Sequence, residues 1–146
     1  MYGPQELWKY SEIETAARAG IVTGVEQRYF DVNGRIKRQD AAVMIARAME
    51  LKLPANDSPT STTKKLLTAL EKLFTDGASI DYYARPSVSA VNSSGIMEGK
   101  PNALVEGEKK ATVSFVPTAN LTRAEAAVIV LRIMKKKTNV FPANFN

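Results

Sequence analysis

The sequence contains no cysteine and no histidine. Their absence excludes disulfide bonds, thiol nucleophiles, imidazole bases and most transition-metal sites. No apolar run reaches the roughly 18 to 20 residues that cross a bilayer, and the start, MYGPQELWKY, lacks the basic and apolar regions of an export signal. We therefore expect no metal, no cofactor and no membrane insertion, and we expect Met1 to be a boundary inside a longer, exported protein.

The composition is that of a folded chain with a basic surface. Hydrophobic residues make up 45% and charged residues 24% of the sequence, which is ordinary for a globular domain. The net charge is +5 and the isoelectric point is near 9.5. This charge favours an anionic partner, but it does not choose between nucleic acid, an acidic membrane surface and an acidic polysaccharide.

Two stretches of the chain align with each other, which indicates an internal duplication. The first is ETAARAGIVTG followed by FDVNGRIKRQDAAVMIARAM, and the second is SAVNSSGIMEG followed by FVPTANLTRAEAAVIVLRIM. Glycines and arginines carry much of the match, and these pairs fall opposite each other: Gly20 and Gly95, Gly24 and Gly99, Arg38 and Arg123, and Arg47 and Arg132. The second copy has a longer loop after its second glycine, and this loop predicts a small hairpin around Glu106-Gly107.

Each copy has the pattern of a helix, a loop and a second helix. Gly20 and Gly95 are placed to end the first helix in the left-handed conformation. The second helix is predicted from Asp40 to about Leu51 and from Ala124 to about Lys136. Its buried stripe in the second copy is predicted from the spacing of four apolar residues, Ala127, Val128, Leu131 and Met134.

Composition also predicts how the chain is divided. The first repeat spans 1–53 and lacks an N-terminal helix that the second repeat has in TTKKLLTALEKLF. A segment rich in proline, serine and threonine at 54–63 is predicted as a linker. The second repeat spans 64–138, and 139–146 is a C-terminal tail.

The segment LTRAE in the second copy combines a helix cap with an arginine that the cap does not explain. Thr122 and Glu125 have the spacing of a capping box. Arg123 falls in the first turn, where the helix dipole disfavours a cation. A guanidinium beside free helix N–H groups suits a carboxylate or a phosphate. The alternative is an exposed arginine that is only solvated or that pairs with Asp76 or Glu98.

Together these motifs resemble the S-layer homology domain family. They are an F-x-D entry (Phe74, Asp76), an aromatic at Trp8 or Tyr83, GI-x-x-G, a loop ending in phenylalanine, and a T-R-A-E helix start. The resemblance covers nearly the whole chain apart from the linker and the last residues. It implies an all-α fold of tandem helix-loop-helix repeats, which form part of a pseudo-symmetric, three-repeat helical spindle.

The resemblance also implies what such a module does. Family members are non-catalytic, extracellular anchors that hold bacterial proteins on the cell wall or S-layer. The implied ligand is an acidic secondary cell-wall polysaccharide, often with pyruvate ketals on N-acetylmannosamine, and the T-R-A-E arginine contacts it. That role falls on Arg123 and on Arg38, although the first copy has Lys37, Gln39 and Asp40 in place of the other motif residues.

Four further residues are secondary candidates for glycan contacts: Gly99, Gly24, Trp8 and Tyr83. The structural interpretation is favoured for each of them. The glycines would be turn residues with positive φ, and the aromatics would belong to the core. Thr122 and Glu125 are assigned to capping alone.

Three other functions differ in how well they fit the sequence. Nucleic-acid binding is disfavoured, because the loops are longer than the turn of about three to four residues in a helix-turn-helix and the second helix has few polar side chains to read bases. Catalysis is disfavoured, because Asp76, Asp81 and Glu98 lack the spacing of an acid/base pair. A protein-interaction module that packs on another repeat or a second subunit, without binding glycan, stays open.

Overall fold

The computed structural model describes residues 10–24, 31 and 33–137, and within them the secondary structure is almost all helical. Five α-helices are described there: α1 Tyr10–Arg18, α2 Arg38–Ala48, α3 Lys65–Leu73, α4 Arg85–Ser93 and α5 Arg123–Lys136. Two single-turn 3-10 helices, Gly77–Ser79 and Tyr82–Ala84, lie between α3 and α4. The predicted all-α class is therefore confirmed. Among the described helices, none has the length and hydropathy of a membrane span.

Two short strands form the only sheet in the described residues. Strand β1, Lys100–Pro101, pairs antiparallel with β2, Val113–Ser114, so that Lys100 lies opposite Ser114. The loop between them turns at Gly107, whose φ is +90°. This is the hairpin that the inserted loop predicts.

The chain divides into two compact units, Met1–Ile36 and Lys37–Asn146. The first unit contains α1, and the second contains α2 to α5 and both strands. The division falls inside the first predicted repeat, and the repeat boundaries stay predictions. Trp8, one of the two motif aromatics, lies outside the described residues.

Both first helices end as predicted. Gly20 and Gly95 each have φ +74°. In the second copy the Gly95 N–H donates to the Asn92 carbonyl at 3.0 Å, and the Ile96 N–H donates to the Val91 carbonyl at 3.0 Å. A residue without Cβ adopts this left-handed conformation at no steric cost, which is why glycine ends both helices.

The core of the second unit forms where α2 and α3 pack against α4. Phe115, which ends the inserted loop, is fully buried, and its ring lies 5.4 Å from that of Phe74. The rest of the buried cluster is aliphatic and includes Leu66, Leu70, Ile80, Val88, Val91, Ile96 and Met97. The core therefore joins the helices to the end of the inserted loop.

Helix α2 begins two residues before the predicted start at Asp40. The N–H groups of Arg38 and Gln39 donate to the carbonyls of Ala119 and Pro117, at 2.9 and 3.0 Å. These carbonyls come from a distant part of the sequence and satisfy donors that a helix start normally leaves free. Local sequence therefore could not locate the first turn.

Helix α3 is capped by a residue from the predicted linker. The two oxygens of Asp57 accept hydrogen bonds from the N–H groups of Leu66 and Leu67, at 3.0 and 2.9 Å. Burial works to raise the pKa of Asp57, but the two backbone hydrogen bonds, together with the charges of Lys64 and Arg85, hold the pKa below its usual value. Asp57 is buried, so this part of the segment belongs to the folded unit.

The predicted buried stripe of α5 is wrong for three of its four residues. Ala127, Val128 and Leu131 are exposed, with Val128 at 45% and Leu131 at 43%. Ile129 is the buried residue of the helix, and Ile133 packs partly against the core. Because apolar residues surround much of α5, periodicity alone does not indicate which stripe faces the core.

Candidate functional site

The N-terminus of α5 has an ordered cap beside an exposed arginine. The Thr122 hydroxyl accepts a hydrogen bond from the Glu125 N–H at 3.1 Å, and Glu125 Oε2 accepts one from the Thr122 N–H at 2.8 Å. Arg123, between them, is exposed. Within the described part of the chain, no hydrogen bond or ion pair involves its side chain. Arg123 is therefore accessible to a ligand.

The two acids that could have paired with Arg123 are used elsewhere. The carboxylate oxygens of Asp76 accept hydrogen bonds from the N–H groups of Phe115 and Val116, each at 2.8 Å. Val116 has φ +55°, an unfavourable value for a β-branched residue, and these bonds help to hold it. The carboxylate of Glu98 lies 3.5 Å from Arg132. In the structure, Arg123 therefore pairs with neither Asp76 nor Glu98.

Arg38, the counterpart of Arg123, is 3% exposed. Its Nε donates to the Phe115 carbonyl at 2.8 Å and its Nη2 to the Glu98 carbonyl at 2.9 Å. Its Nη1 donates to Glu125 Oε1 at 2.8 Å. The guanidinium also lies over the Phe115 ring, 5.1 Å from its centroid. Arg38 therefore joins the first copy's helix start to the second copy.

Two residues of the first copy that differ from the T-R-A-E motif, Gln39 and Asp40, also form hydrogen bonds with the second copy. Gln39 is fully buried and exchanges two hydrogen bonds with Asp81, at 2.7 and 3.0 Å. The Tyr83 hydroxyl donates to Asp40. Burial, and then this hydrogen bond, raise the pKa of Tyr83 well above its usual value. Tyr83 is nevertheless 56% exposed, so its assignment to the core is wrong.

A pocket of about 320 Å³ lies beside Arg38. Three cations and two carboxylates line it: Arg38, Lys100, Arg132, Glu98 and Glu125. Its apolar wall includes Ile96, Met97, Pro101, Val128 and Ile129. The lining has one more positive than negative charge, beside surface that suits methyl groups.

Glu125 organises the charges of this pocket. Lys100 Nζ and Arg38 Nη1 each lie 2.8 Å from Glu125 Oε1. Burial by itself works to raise the pKa of Glu125, but the hydrogen bonds from Lys100 and the Thr122 N–H, with the charge of Arg38, lower it to about 2. Glu125 is therefore ionised at any physiological pH and serves both as a cap and as an ion-pair partner.

The structure brings some of the predicted residues together and separates others. Arg38, Gly99 and Glu125 line the pocket, and Arg123 precedes Ala124, which also lines it. Tyr83 is not part of that lining. Gly24 belongs to the other compact unit, and Trp8 lies outside the described residues.

A glycine is required at position 99 for a structural reason that differs from the predicted positive φ. It is absent from the residues with positive φ. A Cβ at this position would lie 2.2 Å from Val113 Cγ1, 2.8 Å from the Ser114 carbonyl oxygen and 2.9 Å from the Phe74 ring. Glycine is needed because β2 and Phe74 approach the backbone closely.

Sequence reasoning missed Lys100 and Arg132 as residues of the site. A signal for each was present, because Lys100 directly follows GIMEG and Arg132 aligns with Arg47 of the first copy. Neither signal predicts that the two side chains share a pocket, since β1 and α5 carry them. Among the described residues, no cluster of three or more acidic side chains could hold a metal ion.

These features define a helical module with two related copies, an exposed cation at one helix start and a cationic pocket beside it. The sequence matches the S-layer homology domain at residues 4–42 and 73–127. The chain belongs to this family. S-layer homology domains are non-catalytic surface-anchoring domains, so the chain is a cell-surface attachment module.

The chain is similar to a small part of each of three much longer proteins. The chain is 29% identical over 133 residues to an amylopullulanase of Thermoanaerobacterium thermosulfurigenes. The aligned segment covers 91% of the chain and 6% of that protein. It is 28% identical to an endoglucanase of Bacillus sp. (strain KSM-635), over 88% of the chain and 12% of that protein. It is 27% identical to the exoglucanase XynX of Acetivibrio thermocellus, over 91% of the chain and 10% of that protein. The chain thus spans only about a tenth of these enzymes.

Proposed function

We propose that this module anchors a longer protein by binding an acidic secondary cell-wall polysaccharide, of the pyruvylated kind, at the N-terminus of α5. The observation that carries the proposal is Arg123, a cation in the first turn of α5 that is exposed and has no described partner. A cation in this turn is unfavourable for the helix alone, so its presence favours an external anion.

The chemistry of this helix start suits a carboxylate. The capping box uses the N–H groups of Thr122 and Glu125, and no described residue accepts from those of Arg123 and Ala124. A guanidinium and free helix N–H groups together bind a carboxylate through charge-assisted hydrogen bonds. Each such bond contributes about 1.5 to 3 kcal/mol, so losing the arginine weakens binding about tenfold or more.

The two duplicated arginines have different parts in this proposal. Arg123 contacts the glycan directly, whereas Arg38 adds positive charge to the pocket wall while its nitrogens stay bonded to Phe115, Glu98 and Glu125. Gly99 lines the pocket and stays a secondary candidate that could contact a sugar only through its backbone. Gly24, Trp8 and Tyr83 stay secondary candidates.

The experiment is co-sedimentation of the chain with purified bacterial cell-wall sacculi, before and after hydrofluoric acid removes the secondary polysaccharide. We expect the wild type to sediment only with untreated walls and Arg123→Ala to remain in solution. Arg47→Ala is the matched control, because Arg47 is an exposed arginine in the last turn of α2. Binding that survives both the acid treatment and Arg123→Ala would overturn the proposal.

A second candidate function is assembly with another repeat. It is favoured by the exposed apolar residues of α5: Val128 at 45%, Val130 at 53% and Leu131 at 43%. Such a surface would be covered if a further repeat completed a pseudo-symmetric spindle. That repeat would come from the rest of a longer protein or from a second subunit.

A further inference from the structure

Asn33 is followed by a glycine and lies in an exposed turn. Asn33 and Gly34 are both exposed, and neither belongs to a helix or a strand. The Gly34 N–H donates to the Asp31 carbonyl at 3.0 Å and so closes the turn. In the described part of the chain, no hydrogen bond or ion pair involves the Asn33 side chain. The side-chain amide is therefore free to rotate towards the backbone of the next residue.

We propose that Asn33 is a site of spontaneous covalent modification, at which its side chain and the Gly34 backbone form a cyclic imide. The Gly34 nitrogen loses its proton and attacks Asn33 Cγ, the Cγ–Nδ2 bond breaks, and ammonia leaves with that proton. Water then opens the ring at either of its carbonyl carbons. The product is aspartate or isoaspartate at position 33, and the reaction uses no enzyme, oxidant or reductant.

The glycine at position 34 makes this reaction accessible. Asparagine is a thermolabile residue, and its loss requires the next backbone nitrogen to approach Cγ. Without a Cβ, Gly34 reaches backbone conformations that other residues avoid, so its nitrogen can make this approach. The bond to the Asp31 carbonyl has to break first, and it is a single bond of an exposed turn rather than part of a helix or a ladder.

A second pair of this kind is protected by the fold. Aspartate before glycine forms the same imide with loss of water, and Asp76 precedes Gly77. However, the Asp76 carboxylate accepts hydrogen bonds from the N–H groups of Phe115 and Val116, each at 2.8 Å. Gly77 is buried, and a Cβ there would lie 2.5 Å from the Leu70 carbonyl oxygen. Neither partner of the Asp76 reaction is therefore free to move.

Two other asparagines show how the structure holds such a side chain. Asn56 Nδ2 donates to the Tyr82 carbonyl at 2.8 Å, and Asn56 Oδ1 accepts from the Asp57 N–H at 2.9 Å. Asn102 is bonded to three hydroxyl groups, those of Thr75, Thr112 and Ser114. Neither asparagine is followed by glycine. Asn33 differs from both in its following residue and in its unbonded amide.

The modification changes both the charge and the backbone of the chain. Each event replaces a neutral amide with a carboxylate and lowers the net charge of +5 by one. Isoaspartate also adds a carbon atom to the main chain, five residues before Arg38 in sequence. Because ammonia is lost, the asparagine is not re-formed, so the modified fraction increases with the age of the protein. This inference does not depend on any ligand of the module.

The test is incubation of the native chain in mildly alkaline buffer made with oxygen-18 water, followed by digestion in ordinary water and mass spectrometry. We expect the peptide that carries Asn33 to gain the mass of an acid in place of an amide, with one heavy oxygen. The heavy oxygen separates this reaction from any that occurs during digestion. Asn102, which alanine follows, is the internal control and should stay unchanged over the same period.

Two variants and a denaturant complete the test. Gly34→Ala should slow the reaction about tenfold or more, because a Cβ hinders the approach of the nitrogen. Asn33→Gln should abolish the mass gain at this position. In urea, Asp76 should form isoaspartate, whereas in the native protein it should not. The inference is wrong if native Asn33 reacts no faster than Asn102, or if Gly34→Ala reacts as fast as the wild type. Isoaspartate forming equally fast at Asp76 with and without urea would contradict its protection by the fold.

Discussion

The arginine repeated in the two copies occupies two unlike environments. Arg38 is buried and bonded to three groups of the second copy, whereas Arg123 is exposed at a helix start. A buried guanidinium with satisfied nitrogens contributes to stability, and an exposed one without a described partner contributes little. The duplication thus repeats the residue type but not its role.

The first prediction concerns stability at these two positions. Arg38→Met should lower the free energy of unfolding by about 2 to 4 kcal/mol, because it removes the donor to the buried Phe115 carbonyl and to the partly buried Glu98 carbonyl, and one partner of Glu125. Arg123→Met should change it by less than about 0.5 kcal/mol, as is usual for exposed positions. Urea unfolding followed by circular dichroism measures both, and equal losses would contradict the distinction.

At the scale of the elements, the starts of α2 and α5 differ in what satisfies their free N–H groups. At the start of α2, the N–H groups of Arg38 and Gln39 donate to the carbonyls of Ala119 and Pro117, so the fold already satisfies these donors. The start of α5 has its own side-chain cap and leaves the N–H groups of Arg123 and Ala124 without a described acceptor. Of these two described helix starts, that of α5 therefore has the N–H groups available to an anion.

The second prediction concerns the pH dependence of the α5 cap. The pKa of Glu125 is lowered from 4.5 to about 2, so its contribution to stability is complete above about pH 4.5 and is lost as the pH falls towards 2. The stability difference between the wild type and Glu125→Gln should therefore shrink over this window. Urea unfolding at several pH values measures it.

The control for the pH experiment is Glu106→Gln, an exposed residue of the inserted loop. It should follow the wild-type curve throughout. A difference between wild type and Glu125→Gln that stays constant from pH 5 to about pH 2 would show that the ion pairs of Glu125 do not contribute in the expected way.

At the scale of the whole molecule, the second unit has a buried core but an incompletely covered helix. Phe74, Phe115 and the aliphatic residues of α3 and α4 form the core, and α5 adds Ile129 to it. Val128, Val130 and Leu131 of the same helix stay exposed. Val128 and Leu131 are three residues apart and share one helix face, as residues of a surface that another chain or repeat covers would.

The third prediction is that this surface drives association. The chain should self-associate in the micromolar range in sedimentation-velocity experiments, and Leu131→Asp should keep it monomeric. The control is Leu104→Asp, which alters a leucine that is 61% exposed on the inserted loop and should leave association unchanged. A wild-type chain that stays monomeric throughout would show that a second copy does not cover α5.

Much of the architecture followed from local sequence. The helix-ending glycines, the cap of α5 and the hairpin of the inserted loop depend on residues close together in the chain, so short-range patterns predict them. The duplication and the family motifs were also recognisable in the sequence, and they predicted the all-α class and the candidate Arg123.

Tertiary structure decided the rest, because the relevant partners are far apart in sequence. Arg38 lies 77 positions from Phe115, whose carbonyl it binds, and 87 from Glu125. The face of α5 that is buried, the cap that Asp57 gives α3 and the grouping of Lys100 with Arg132 also depend on distant segments meeting. By itself the sequence determined which helices form and which arginine repeats, whereas only long-range packing decided which of the two arginines is buried.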